Sequence, residues 1–305
     1  MTGTLLRVFG TLVAGAAALF PVVVFGQETA EPAFHHASPG QFTLETSVTP
    51  IMDSITTFHD GILLWTAGLI TLLVLALLVI VMVRFNAKAN PVPSTNTHNT
   101  LIEIVWTVFP IIVLVIIAVP SFGVLSDQLT IPDGQRKYLG SNIFSFGEVE
   151  VPAVGLNLKV TGSTWYWTYE YVDQGKSITS NILSEDERKS LKPNQPRLLA
   201  VNNELVVPVN TTVRVLVTAT EVIHAFAVPS FGVKIDAVPG RLNETWFNAR
   251  KTGLYYGQCS ELCGKDHAFM PIAVRVVTEE EFATWMAAFQ AGNLKDANAT
   301  LPPIT

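Results

Sequence analysis

Cysteine is scarce in this 305-residue chain: there are two, Cys259 and Cys263, so at most one disulfide can form within it. No C-x-x-C-H occurs, which excludes a covalently attached c-type haem. Charge is scarce as well. Only 14% of residues are charged and 49% are hydrophobic, too oily a balance for an ordinary soluble domain. Residues 27–61 contain no Lys or Arg, only Glu28, Glu31, Glu45, Asp53 and Asp60 as charges. There is no internal repeat, and no ten-residue helical pattern alternates with the strand-like segments, which disfavours a parallel α/β fold.

What is present begins with two uncharged runs. Residues 62–83 (22 residues) and 104–126 (23 residues) are each long enough to cross roughly 30 Å of hydrocarbon at about 1.5 Å per residue. Neither has the polar stripe of a soluble core helix. A shorter apolar run opens the chain behind a lone Arg7; residues 1–26 read as a secretory signal that leaves Gln27 as the new terminus, the alternative being an uncleaved third span. The connecting loop, 84–103, holds Arg84 and Lys88, and positive loops stay cytoplasmic. Residues 27–61 and everything from residue 127 onward are therefore expected on the periplasmic side, where cytosolic reductants do not protect thiols.

Beyond Ser126 the pattern changes to short β-rich segments: 156–172, 197–201, 204–209, 211–220, 223–228, 242–249 and 270–277. Gly and Pro punctuate them, predicting an antiparallel sandwich or barrel over 127–278. Residues 140–155 and 173–195 read as loops. The stretch 278–290 reads as a helix capped by Thr278 and Glu281, and the tail from Gly292 as loose. Residues 128–278 carry 15 Lys plus Arg against 14 Asp plus Glu, so the whole-chain charge of −6 says little about what this domain binds. No nucleic-acid partner is expected.

Both thiols fall in CSELCGKDHAFM, residues 259–270, together with Glu261, His267 and Met270, while His224 stands in a strand-like segment upstream. A structural disulfide would account for the cysteines but not for their neighbours. Thiolate, imidazole and thioether are the soft donor set of copper electron-transfer sites, whereas zinc with two Cys and two His has no use for Met270. A sandwich can bring the His224 strand beside the loop.

These residues carry a resemblance. CSELCGKDHAFMPI, VIHAFAVPSFGVKIDAVPGRLN (222–243), GLYYGQ (253–258) and WYWTYEY (165–171), set behind a two-span hairpin, are similar to subunit II of haem–copper cytochrome c oxidase over residues 45–290. The resemblance implies a membrane-anchored all-β protein: a two-helix transmembrane hairpin followed by a cupredoxin-like Greek-key β-barrel, in a bacterial inner membrane. It implies a dinuclear copper A centre in which Cys259 and Cys263 bridge two coppers. His224 and Met270 complete one copper's shell, and His267 with the Glu261 backbone carbonyl completes the other's. The Glu261 carboxylate is expected toward a magnesium ion shared with subunit I, and Pro239, Gly240 and Arg241 at the same junction. Trp165 is implied as the residue that takes the electron from cytochrome c, and the match of EIVW (103–106) implies Glu103 at the entrance of a proton path.

Further partners follow from the resemblance: subunit I with haem a, haem a3 and Cu(B), the other oxidase subunits, cytochrome c and the lipid bilayer. The chain itself offers no site for haem. Cytochrome c presents a basic face, which makes Glu170, Asp173 and Glu221 candidate docking acids. Two departures stand out, since Ser163-Thr164 replaces the family's common His-Gln and Asn202 stands where an acid is frequent. Alternation along 165–171 puts Trp165, Trp167, Tyr169 and Tyr171 on one face and Tyr166 on the other. Three rivals remain. A thioredoxin-like copper chaperone lacks its strand–helix–strand context here, a quinol-oxidase subunit would lack the thiols, and the copper domain of a nitrous-oxide reductase would lack the hairpin.

Overall fold

The computed structural model describes residues 34–144 and 147–304; the expected signal, 1–26, lies outside them. After β1 (Phe34–His35) come α1 (Pro50–Phe58), a π-helical turn (His59–Leu63) and α2 (Leu64–Arg84), continuous as one helix of 35 residues. Next is α3 (Thr100–Leu129), of 30 residues. Both long helices are apolar enough to cross a membrane and form a transmembrane hairpin. The first starts well before the apolar run, because the Thr49 side chain accepts from the Met52 amide and Pro50 needs no N–H partner at the first helical position.

The remainder is two packed sheets with a separate two-stranded ribbon, Lys137–Tyr138 against Val149–Glu150, and short helices. Its elements are β2 (Lys137–Tyr138), β3 (Val149–Glu150), β4 (Val154–Ser163), β5 (Tyr166–Tyr171), β6 (Lys176–Ser180), α4 (Glu185–Leu191) and β7 (Leu205–Pro208). They continue with β8 (Thr212–Ala219), β9 (His224–Val228), β10 (Val233–Ala237), β11 (Asn243–Asn248), β12 (Gly253–Cys259), β13 (Pro271–Val277), α5 (Glu279–Ala291) and α6 (Leu294–Asn298). One sheet runs β10-β9-β12-β13-β7 with β1 added on β12; the other runs β11-β8-β4-β5-β6. Three pairings, β1–β12, β4–β8 and β13–β7, are parallel, so the expected antiparallel sandwich is in fact mixed. The architecture is the cupredoxin-like sandwich that the resemblance implied.

Period-2 alternation builds the core. Leu156, Leu158 and Val160 of β4, Trp167, Tyr169 and Tyr171 of β5, and Val213, Val215 and Val217 of β8 all point inward. They meet Phe226, Val228, Tyr255, Ile272, Val274 and Val276 of the facing sheet. Each such side chain contributes roughly 1.5–3 kcal/mol through burial. The Tyr171 hydroxyl donates to the Val206 carbonyl at 2.7 Å and accepts from the Val206 amide at 3.0 Å, which ties β5 to β7 across the core.

Four expectations need correction. Residues 173–195 are not loop: β6 pairs with β5, and α4 forms behind a Ser184/Glu187 capping box. Within 140–155, β3 pairs with β2 and β4 begins at Val154. Residues 197–201 are not a strand, because Pro196 starts a turn whose carbonyl accepts from Leu199 and Ala200, with Leu198 left-handed at φ 68°. The tail is not loose either: Asn293 caps α6, and Asn298 accepts from Trp285 Nε1 at 2.9 Å.

The domain is fastened to the helices at two points. Thr49 Oγ1 donates to the Phe231 carbonyl at 2.7 Å, and Asp53 pairs with Arg250 at 2.8 Å. At the end of α3, buried Asp127 accepts from the Leu139 amide at 2.7 Å and from Arg136 at 3.1 Å, while its carbonyl accepts from Trp246 Nε1 at 2.9 Å. Ile55, Phe58 and Ile62 pack on Val124, Leu139 and Ile143 between these points.

Candidate metal centre

The site forms where β9 begins and β12 ends. Cys259 lies opposite Phe226 in the β12–β9 ladder, so His224, two residues from Phe226, projects on the same face as a diagonal neighbour. His224 Nδ1 is 3.7 Å from Cys259 Sγ. The loop after β12 is held by the Ser260 amide donating to the Ala225 carbonyl at 3.1 Å. It brings the Glu261 carbonyl to 3.3 Å from Cys259 Sγ and Cys263 Sγ to 3.8 Å. A turn at His267–Phe269 sets His267 Nδ1 3.5 Å from Cys263 Sγ, and Met270 Sδ lies 3.5 Å from the same sulfur.

All six sequence-predicted ligand positions thus converge on the pair of sulfurs. A disulfide needs its sulfurs about 2.0 Å apart, so these thiols are unbonded. His224, Cys259, Cys263 and Met270 are 0%, 3%, 6% and 1% exposed; His267 is half-buried and the Glu261 side chain points to solvent.

The electrostatics suit a cation. Burial and the adjacent Cys259 push the Cys263 thiol up to about 12, so at neutral pH a bound metal is what would hold it as thiolate. Burial lowers the His224 pKa and keeps its imidazole neutral, the ligating form. His224, Cys259 and Cys263 offer donor atoms within 4.8 Å of one another. Soft sulfur and imidazole donors that converge in a dry pocket fit copper.

Two supporting residues have no role at the site that the sequence announces. Trp167 donates from Nε1 to the Met270 carbonyl at 3.2 Å and meets the His224 ring edge-on at 5.9 Å. A Cβ on Gly162 would stand 3.0–3.1 Å from the His224 ring, so glycine there makes the room that the imidazole occupies. The tryptophan is visible in WYWTYEY, but nothing in the sequence marks Gly162.

Trp165 is not on the inward face of β5. It sits in the turn before that strand, half-buried, with Nε1 donating to the Cys263 carbonyl at 3.2 Å. Trp167, Tyr169 and Tyr171 do face inward, and Tyr166 is on the other side. The three acids separate. Glu221 accepts from Thr164 Oγ1, next to Trp165. Glu170 pairs with Lys159 at 3.6 Å and Asp173 accepts from Asn157 at 3.1 Å, both toward the far end of β5, roughly 15 Å or more along the strand from Trp165. Asn202 accepts from the Asn181 and Asn203 amides at 2.8 and 2.7 Å. Glu103 lies in the first turn of α3, where its carboxylate accepts from the Asn99 amide at 3.0 Å.

Fold and donors together define a class: a membrane-anchored cupredoxin-like domain with two adjacent thiols at a metal-type site. The profile "Cytochrome C oxidase subunit II, periplasmic domain" matches residues 156–277, and the transmembrane-domain profile of the same subunit matches 37–124. The chain is 49% identical over 250 residues to a probable cytochrome c oxidase subunit 2 of Rickettsia bellii, covering 82% of this chain and 84% of that one. It is 42% identical over 257 residues to cytochrome c oxidase subunit 2 of Oenothera berteroana, with 82% and 91% covered. The crystal structure of the periplasmic domain of subunit II of cytochrome oxidase from Bradyrhizobium japonicum is 61% identical, covering 45% of this chain and 94% of that one, with a TM-score of 0.41. The chain belongs to the cytochrome c oxidase subunit II family.

Proposed function

We propose that this chain is the electron-entry subunit of a haem–copper cytochrome c oxidase, with a dinuclear copper A centre held by His224, Cys259, Glu261, Cys263, His267 and Met270. The carrying observation is the pair of unbonded sulfurs 3.8 Å apart with two imidazole nitrogens, a thioether and a carbonyl oxygen at 3.3–3.7 Å. The two thiols, the imidazoles of His224 and His267, the Met270 thioether and the Glu261 carbonyl would hold the copper pair. A copper pair bound there supplies reversible one-electron chemistry.

The chain's own residues do the rest. Trp165 takes one electron at a time from cytochrome c, and its hydrogen bond to the Cys263 carbonyl fixes the indole against the ligand loop. Burial of His224, Cys259, Cys263 and Met270 keeps water out, so changing the charge of the site rearranges little solvent. Half-exposed His267 is the side toward subunit I, where haem a receives the electron and oxygen is reduced with proton pumping. The solvent-facing Glu261 carboxylate suits a hard cation such as magnesium at that junction, which Pro239, Gly240 and Arg241 help shape. Glu103, at the membrane edge, serves as proton-path entrance as well as helix cap. Glu221 is the favoured docking acid, because it adjoins Thr164. In the inner membrane, both the domain and the segment before α1 face the periplasm.

Metal analysis of the full chain purified from membranes tests the reading. Two coppers per chain are expected, and Cys259→Ser should lose them. Stoichiometric zinc, or a Cys259–Cys263 disulfide without metal, would overturn it.

A further inference from the structure

We infer that Lys265 is a specificity-determining residue of the electron-entry site: its ammonium covers the outer face of Trp165 and biases that spot against cationic contact groups on the donor. This rests on the reading of Trp165 as the entry residue. Lys265 Nζ stands 5.5 Å over the Trp165 ring centroid, within cation–π range. Its side chain is 78% exposed, and its nearest acid, Asp266, is 3.9 Å away, too loose to neutralise it.

The indole is held on the other sides. Its Nε1 is fixed to the Cys263 carbonyl, and a Cβ on Gly264 would stand 3.1 Å from Cζ2, so the ring lies against the Gly264 backbone. Gly264 has φ +125°, a conformation that a side chain would strain. Loop and ring are therefore one packed unit, and Lys265 is the next residue of that loop. Glu221, bound to Thr164, places the opposite charge at the residue just before Trp165. A basic donor is drawn by Glu221 but meets Lys265 over the ring. The donor group that fits there is a carbonyl or carboxylate, with lysines at its rim.

The full chain as purified from membranes allows two measurements. Hydroxyl-radical footprinting reads the cover directly. Lys265→Met should raise Trp165 oxidation about two- to fivefold, the weight of an exposed cation–π contact, and Lys265→Arg should restore protection. Stopped-flow reduction by a cytochrome c with a basic face reads the selection. At low ionic strength the rate should rise about threefold in Lys265→Met and about tenfold in Lys265→Glu, the Coulomb effect of one or two unit charges near 6 Å in water. The variants should converge at high salt.

Unchanged footprinting in Lys265→Met overturns the cover. Charge variants that leave the rate unaltered at every ionic strength, or that change it by the same factor in a Trp165→Leu background, overturn the selection. Trp165→Leu reduced as fast as wild type would instead sink the electron-entry reading and the selection with it, while the footprinting would still report the contact.

Discussion

Gly257→Ala perturbs the strand that delivers Cys259 without touching a ligand. A Cβ at Gly257 would fall 1.9 Å from the Ala227 carbonyl oxygen and 2.9 Å from its carbon, both rigid backbone of β9. Reaching an ordinary contact of about 3.5 Å requires β12 and β9 to separate by about 1.5 Å. Their ladder here is short, Gln258 opposite Ala227 and Cys259 opposite Phe226, so it has little to resist with. Overpacking of ~1–3 kcal/mol, plus two weakened ladder bonds at ~0.5–1.5 kcal/mol each, totals ~2–6 kcal/mol. For a domain of about 150 residues this lowers Tm by about 5–20 °C. The same displacement carries Cys259 Sγ away from His224 Nδ1, now 3.7 Å distant, so copper retention should fall as well. Differential scanning calorimetry and copper analysis of the purified chain read both effects. Gly175→Ala, where a Cβ meets nothing within 4 Å, should cost only ~1 kcal/mol for its left-handed backbone and leave copper intact. A Gly257→Ala protein with wild-type Tm and full copper would refute the reasoning.

Other perturbations follow from named contacts. Asp127→Ala leaves the buried Leu139 amide without its acceptor and removes the ion pair to Arg136, which should cost about 1–3 kcal/mol and speed hydrogen exchange at Leu139, read by mass spectrometry. Trp167→Phe removes the donor to the Met270 carbonyl; it should destabilise by about 1–3 kcal/mol and hasten copper loss to a chelator. Burial pushes the Glu204 carboxyl up, but Lys192 at 2.7 Å, the Gln195 amide at 2.8 Å and Arg275 at 3.6 Å outweigh it and hold the group below its usual 4.5. Its stabilisation is therefore complete above about pH 4.5, where the unfolded chain has also lost the proton, and disappears as pH falls through the folded value. Glu204→Gln should lose about 3 kcal/mol at neutral pH and flatten stability against pH in the acid limb of urea titrations.

Five of the six candidate donor positions lie within CSELCGKDHAFM, where thiol, imidazole and thioether together point to soft-metal chemistry, while the Glu261 carbonyl entered only through the resemblance. His224 was a candidate because a sandwich can bring its strand beside the loop, but the β12–β9 register that sets it next to Cys259, 35 positions downstream, is not written in any local pattern. The long helices were legible from unbroken apolar runs, but the start at Pro50 was not, since α1 is anchored through Thr49 to Phe231, a contact across the fold. Alternation misplaced Trp165 because the chain turns between β4 and β5 just there. Glu170 and Asp173 looked close to Trp165 in sequence, yet an extended strand carries them away from it. The cap of α4 was written in Ser184 and Glu187, yet 173–195 read as loop because the helix is a short one; the sheltering of the tail depends on Trp285 and Asn298 meeting, which no local pattern announces.

Electron paramagnetic resonance of the copper-loaded full chain, purified from membranes, bears most directly on the proposed centre. The account predicts one unpaired electron shared equally between two copper nuclei, lost in Cys263→Ser. The spectrum of an isolated single copper ion in the unmodified protein would contradict it.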